Sequence, residues 1–131
     1  MDGDIRKLDE FRGSYILLDF WATWCPPCLR EIPSLVALQE KFRDKNLKVV
    51  YVSLDFPESG AQLRKKMEAI KLPPIDTFYA NDPHMWQDWR VESVPVSMLL
   101  DPQGNILYRM QGDAEWVSAA SLAFFENKLK N

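Results

Sequence analysis

Cysteine is scarce in this sequence: the 131 residues hold two, at positions 25 and 28. Histidine is scarcer still, with His84 alone. Two thiols and one imidazole do not complete a four-ligand structural zinc site without carboxylates. A bridge across so short a loop removes little entropy from the unfolded chain, so it makes a poor structural staple. Also lacking is any apolar run of the roughly 18–20 residues that a membrane helix needs. The net charge is −3, and no Lys/Arg run is dense enough for a phosphate-binding stripe, which argues against a nucleic-acid partner. The opening "MDGDIRK" has no charged-then-apolar leader. With no repeat and no low-complexity tract, the length and composition predict one globular domain over residues 1–131.

What is present is an alternation of buried strands and amphipathic helices. "SYILLDFW" (14–21) is an apolar run with one internal acid and reads as a buried strand. A helix follows, opened by Pro26 and Pro27, whose missing N–H groups are harmless in a first turn. Its apolar positions Cys28, Ile32, Leu35, Val36 and Phe42 keep helical spacing, and Pro33 predicts a kink. "NLKVVYVSLD" (46–55) is a second buried strand. Residues 57–72 read as an amphipathic helix with Leu63, Met67 and Ile70 inward. "IDTFYA" is a short strand, and "NDPHMWQDWRV" a brief helix capped by Asn81 or Asp82. "PVSMLLD" and "NILYRMQG" form a hairpin on "PQG". The chain closes in a helix with Trp116, Ala119, Ala120, Ala123 and Phe124 on its expected core side.

The cysteine pair falls where a buried strand hands over to a helix. Unpaired N–H groups and the positive end of the helix dipole favour a thiolate at Cys25. Such positions lower a cysteine pKa from about 8.5 into the ~3.5–7.5 range. Cys28 lies one turn on, on the same face, within reach of a mixed disulfide formed at Cys25. These positions make Cys25 the exposed nucleophile and Cys28 the buried resolving thiol.

"FWATWCPPC" resembles the active-site segment of the thioredoxin superfamily, in the style of its TlpA/ResA-like (DsbE/CcmG-like) branch. Pro33 stands where thioredoxins carry a helix-kinking proline. "WRVESVPVSMLLDPQGNILYRMQG" resembles the Tyr-x-Val-x-x-x-Pro block with its Asp-x-x-Gly hairpin. "LDEFRGSYILLDFW" resembles the approach to the first core strand. The likeness spans residues 8–125. It implies an α/β thioredoxin-like fold: a central mixed β-sheet flanked by helices, with a helix-containing insertion, between Asp55 and Trp89, before the cis-proline strand. The N-terminal strand pair of many members is expected to be missing or truncated.

Carried over by position, the resemblance makes Pro95 the cis-proline facing the cysteines and leaves the Val94 backbone to pair with an extended substrate. Trp24, Pro26 and Pro27 complete the expected substrate groove, and Trp21 is as well explained by packing. Asp19 matches the buried acid of ordinary thioredoxins, thought to shuttle a proton to the resolving cysteine, where many TlpA/ResA-like proteins have asparagine. An acid inside an apolar strand costs free energy unless it is paired or protonated. Glu31 matches a glutamate near the ResA-like active site and is a second proton-transfer candidate, with an ordinary surface glutamate as the competing reading. His84 lies near a copper-ligand position of relatives that use Cys-x-x-x-Cys; with Cys-x-x-C here, a solvent-facing histidine is the better reading. The methionines share no short spacing and read as core filling.

The expected function is thiol–disulfide exchange with protein substrates through a redox-active Cys25–Cys28 disulfide. No cofactor or resident metal is expected. The branch implies an extracytoplasmic, periplasmic-type reductase, of the cytochrome c maturation kind or a general one, recharged by a membrane thiol donor. Its export signal or anchor would lie outside these residues, and a cytoplasmic location stays open. A monomer is expected. Pro26 and Pro27 withhold N–H groups from the Cys25 thiolate, which points to a reducing couple. Two alternatives are a disulfide oxidant or isomerase on the same fold, and a copper-binding module using Cys25, Cys28 and His84. A peroxidase is disfavoured, since no distant cysteine exists to resolve a sulfenic acid.

Overall fold

A computed structural model describes residues 11–80 and 84–129, with the backbone alone at 85 and 86. In chain order it contains β1 (Tyr15–Trp21), α1 (Pro26–Lys41), β2 (Leu47–Ser53), α2 (Gly60–Ala69), β3 (Thr77–Tyr79), α3 (Met85–Asp88), β4 (Val96–Leu100), β5 (Ile106–Gln111) and α4 (Ala119–Lys128). The five strands form one sheet in the order β3-β2-β1-β4-β5. β1 runs parallel to β2 and antiparallel to β4, β2 is parallel to β3, and β4 and β5 make the antiparallel hairpin. This is the mixed sheet that the resemblance implies, with α2, β3 and α3 inserted ahead of β4. The proposed caps Asn81 and Asp82 lie outside the described residues, as do residues 8–10 of the "LDEFRG" approach.

β1 is central, so both of its faces are covered and its sequence is apolar nearly throughout. Leu17 and Trp21 point toward a cluster built with Ile32, Leu35 and Leu38 of α1, Leu63 and Met67 of α2, and Trp116 and Phe125 near the C-terminus. Ile16, Leu18 and Phe20 point the other way, against Val50, Val52, Val96 and Met98 and beneath Trp89 and Val91. Burying one such leucine or phenylalanine contributes about 1.5–3 kcal/mol before entropy is counted. β5 is the sheet's far edge, and its six residues are exposed.

Local chemistry sets the boundaries. Ser59 caps α2 by accepting the Gln62 N–H at 3.1 Å, and Ser118 caps α4 through Ser121 N–H at 3.2 Å. The β4–β5 turn is held by Asp101, whose Oδ1 accepts the N–H groups of Gln103 (2.9 Å) and Asn105 (2.8 Å). Gly104 has a φ of +90°, which suits glycine, and an added Cβ would meet the Arg12 guanidinium carbon at 3.1 Å.

Several expected core positions are corrected. Val36 is exposed, and the buried stripe of α1 runs through Cys28, Glu31, Ile32, Ser34, Leu35 and Leu38 instead. Ile70 is exposed because α2 ends at Ala69 and Lys71, at φ 58°, turns the chain away. In α4 the inward residue is Phe125, and Ala119, Ala120, Ala123 and Phe124 face outward. Phe125 stacks at 6.1 Å from Phe42 and 6.2 Å from Trp116. Two adjacent phenylalanines fit two registers of one helix, and the stripe Leu122, Phe125, Leu129 packs better than the alanine face.

Candidate active site

The loop after β1 delivers Cys25 to the start of α1. Asp55, just beyond β2, clamps this loop: its carboxylate accepts the Thr23 N–H at 3.0 Å, the Thr23 hydroxyl at 2.5 Å and the Ser53 hydroxyl at 2.5 Å. Trp24 is left 61% exposed beside the cysteines, while Trp21 is fully buried and donates its indole N–H to Thr77 Oγ1 at 3.1 Å. Of the two readings for Trp21, packing is the observed one.

Cys25 occupies the N-cap of α1, with Pro26 and Pro27 in the first two helical positions. Those prolines carry no N–H, so the first available helix donor is Cys28, whose N–H lies 3.3 Å from Cys25 Sγ. The cysteine side chain therefore sits where a serine or aspartate cap would accept its hydrogen bond. Cys25 and Cys28 are joined in a disulfide with a Cα–Cα separation of 5.3 Å. Cys28 is fully enclosed and Cys25 is 5% exposed, so Cys25 is the more accessible sulfur, although it is far more covered than a surface thiol.

Opposite the bridge, the Val94–Pro95 peptide bond is cis. The Val94 carbonyl oxygen lies 3.6 Å from Cys25 Sγ, placing this loop directly against the disulfide. Gln111 and Gly112 brace the loop: Gly112 N–H donates to the Pro95 carbonyl at 2.8 Å, and Gln111 Nε2 donates to the Ser93 hydroxyl at 3.0 Å.

Beneath the bridge lie two buried carboxyl groups. Asp19 is fully buried, and its Oδ1 accepts the Ser97 hydroxyl at 3.3 Å. Burial pushes the Asp19 carboxyl well above its ordinary range, a hydrogen bond toward Glu31 and the Glu31 charge push it further, and Ser97 opposes them. Glu31 is buried too, so the surface reading of this residue is corrected. Its Oε2 accepts the Ala114 N–H at 3.0 Å and the Trp116 indole N–H at 3.3 Å. Helical spacing already carried the signal: Glu31 is three residues from Cys28 and four from Leu35, on the buried stripe. Its partners in the loop before α4 carried none.

His84 is exposed just ahead of α3. Among the described residues, no three His, Cys, Asp or Glu side chains converge as metal ligands would.

Comparison with known proteins matches residues 1–119 to the model of the AhpC/TSA family. The chain belongs to the AhpC/TSA family. Among curated AhpC/TSA-like relatives, it is 26% identical over 114 residues to the thiol-disulfide oxidoreductase ResA of Bacillus thuringiensis subsp. konkukian, covering 86% of this chain and 64% of that one. It is 33% identical over 112 residues to the thioredoxin-like protein YneN of Bacillus subtilis, covering 81% and 61%. The chain thus spans somewhat under two thirds of the length of these relatives. Among solved structures, a Chlorobium tepidum protein described as a DsbE thiol:disulfide interchange protein superposes with a TM-score of 0.74 at 27% identity, covering 94% of this chain and 83% of that one. The fold of this AhpC/TSA member is thus thioredoxin-like. The clamp residue Asp55 and the Glu31 partner Trp116 are structural supports of the site; sequence reading placed Trp116 in the core and gave neither residue a role at the site.

Proposed function

We propose that this chain is a thiol–disulfide oxidoreductase that passes electrons from a Cys25/Cys28 dithiol to disulfides of protein substrates, in a compartment outside the cytoplasm. The observation that carries this reading is the Cys25–Cys28 disulfide at the head of α1, with Cys25 Sγ 3.6 Å from the carbonyl that precedes cis-Pro95. The relatives named as a thiol-disulfide oxidoreductase and a thiol:disulfide interchange protein support it.

In the forward step the Cys25 thiolate attacks a substrate disulfide. One substrate sulfur leaves as a thiolate and takes a proton, and a Cys25–substrate mixed disulfide remains. Cys28 then gives its thiol proton to the buried carboxyl groups, and its thiolate attacks Cys25 Sγ. The Cys25–Cys28 bond forms, the mixed disulfide breaks, and the second substrate thiolate departs. Two electrons have moved from the dithiol to the substrate. An external thiol donor, membrane-bound in this reading, restores the dithiol. Trp24, Pro26, Pro27, Val94 and Pro95 form the substrate-facing rim, with Val94 offering its backbone to an extended segment.

The reducing direction rests on the prolines. With N–H groups missing at the first two helical positions, the helix offers a Cys25 thiolate the Cys28 N–H as its first donor, and a weakly stabilised thiolate makes a poor oxidant. Equilibration against a dithiol buffer tests this. A potential near the ~−270 mV of thioredoxin or lower is expected, and a value near the ~−120 mV of a strong oxidant overturns the direction. The exchange itself is tested by reduction of insulin, with Cys28→Ser trapping substrate on Cys25. The extracytoplasmic placement is tested by fractionating the source cells.

A further inference from the structure

Asp19 and Glu31 come from different elements, β1 and α1, and meet in the same buried layer. Asp19 lies between Leu17 and Trp21, on the β1 face that α1 covers. Each carboxyl group has one oxygen satisfied. Ser97 serves Asp19 Oδ1, and Ala114 with Trp116 serves Glu31 Oε2. Each also has one buried oxygen, Asp19 Oδ2 and Glu31 Oε1, with no donor among the described residues. Glu31 acts directly on Asp19, helping to hold the Asp19 carboxyl above its ordinary range. A carboxylate is acceptor-only, so two ionised groups cannot satisfy each other, whereas one proton between them gives both unmet oxygens a partner.

The charge environment points the same way. Among the described residues no Lys, Arg or His is buried, so no cation offsets two negative charges there. From β2, Tyr51 stands beside Asp19, and burial and the two carboxyl groups push its phenol further above its ordinary range, so it contributes no charge. From β4 comes only the Ser97 hydroxyl. From α1 come Glu31 and the bridged Cys25 and Cys28, which do not titrate. In the loop before α4, Asp113 is on the surface, 3.7 Å from Arg30. Two like charges in one dry layer, with no buried cation among the described residues to offset them, do not both persist.

We infer that Asp19 and Glu31 act as one unit that shares a single proton between Asp19 Oδ2 and Glu31 Oε1. They are then not two independent candidates for proton transfer. In the exchange proposed above, on which this part of the inference rests, the unit passes from one proton to two when Cys28 gives up its thiol proton, and then returns one to solvent. It never carries two charges. Trp116, through its indole N–H on Glu31, is a positioning residue that holds the glutamate toward the aspartate and reports on it.

The test uses the disulfide form, in which no thiol titrates and no turnover is needed. Infrared spectra are recorded against pH with the aspartate side chains ¹³C-labelled. In the wild type, a protonated aspartate carboxyl band persists at neutral pH. It has the same midpoint as the share of tryptophan emission that is lost in Trp116→Phe. In Glu31→Gln, whose amide both donates to Asp19 and removes a charge, that midpoint falls by about one pH unit or more, a tenfold change in the ionisation constant. A wild type with no protonated aspartate band at neutral pH overturns the inference. So does a Glu31→Gln midpoint equal to that of the wild type. The wild-type spectrum decides even where the variant does not fold. The insulin assay separates the two proposals. Bands as expected with no exchange leave the shared proton standing and remove the oxidoreductase reading. Exchange without the band does the reverse.

Discussion

The two faces of β1 solve different problems with alternate residues of one strand. Toward Trp89 and Val91, Ile16, Leu18 and Phe20 pack into an apolar cluster, and Phe20 stacks 5.6 Å from the Trp89 ring. Toward α1, Leu17 and Trp21 flank Asp19, and the layer also holds Glu31, Ser34 and the cysteine pair. The first face gains from each buried methylene and has no polar cost to offset. The second buries two carboxyl groups, whose desolvation lowers its contribution to stability. One side of the sheet contributes packing alone, and the other combines packing with the chemistry, on alternate residues of a single strand.

The sharpest way to test this division is to remove the reactive sulfur. Cys25→Ser is expected to reduce insulin-reduction activity to the uncatalysed background. The melting temperature should change little, because a bridge between residues three apart constrains the unfolded chain weakly. A large loss of stability in a calorimetric scan would show that the bridge supports the fold, and the division would fail.

Leu18→Ala, on the apolar face, is the converse. Leu18 is fully buried, so the expected cost is about 2–5 kcal/mol by urea titration. The reduction potential of the remaining folded protein should be unchanged. A shifted potential would mean that the two faces are coupled.

A smaller effect comes from Asp19→Asn. Burial and Glu31 raise the folded-state pKa of Asp19 above its unfolded value, so the native protein keeps a proton that the unfolded chain releases. The stability tied to that proton is fully present below about pH 3.9 and is lost as pH rises through the folded-state pKa, by at most about 1.4 kcal/mol per pH unit. Urea midpoints should therefore fall with rising pH in the wild type, and Asp19→Asn should flatten that slope. An equal slope in both proteins would place the proton elsewhere.

How far the sequence foretold these features depends on the range of the interactions involved. The strands β1 and β2, the hairpin turn at Asp101 and the opening of α1 at Pro26 and Pro27 rest on local composition, and each was legible. The cis bond at Pro95 and the approach of Val94 to Cys25, 69 residues away, came through resemblance, since no local pattern brings those segments together. Asp19 was conspicuous because an acid in an apolar strand breaks a period. Glu31 was ambiguous because glutamate on a helix is ordinary, and its burial depends on Trp116, 85 residues further on. The face of α4 was misread for a related reason. Its alanines and phenylalanines encircle the helix, so only the packing of Phe125 on Phe42 and Trp116 selects the inward side.

The weakest expected effect concerns the rim of α1, where an aliphatic residue is misleading. Val36 fits the helical stripe in sequence, yet it sits at the solvent edge, while Leu38 is enclosed. The stripe from Cys28 through Ile32 and Leu35 to Phe42 is centred on the side that Leu38 and Glu31 occupy, and Val36 falls one position off it. An exposed β-branched residue gives up rotamer freedom in a helix without recovering it in packing, and alanine does not. Val36→Ala is therefore expected to change stability by no more than about 0.5 kcal/mol, in either direction. Urea denaturation beside Leu38→Ala, with an expected loss of about 2–5 kcal/mol, makes the check. A costly Val36→Ala would mean that the face carrying Glu31 is turned by nearly one residue. The carboxyl pair beneath the disulfide would then lose its geometric basis, which ties this smallest effect to the chemistry of the site.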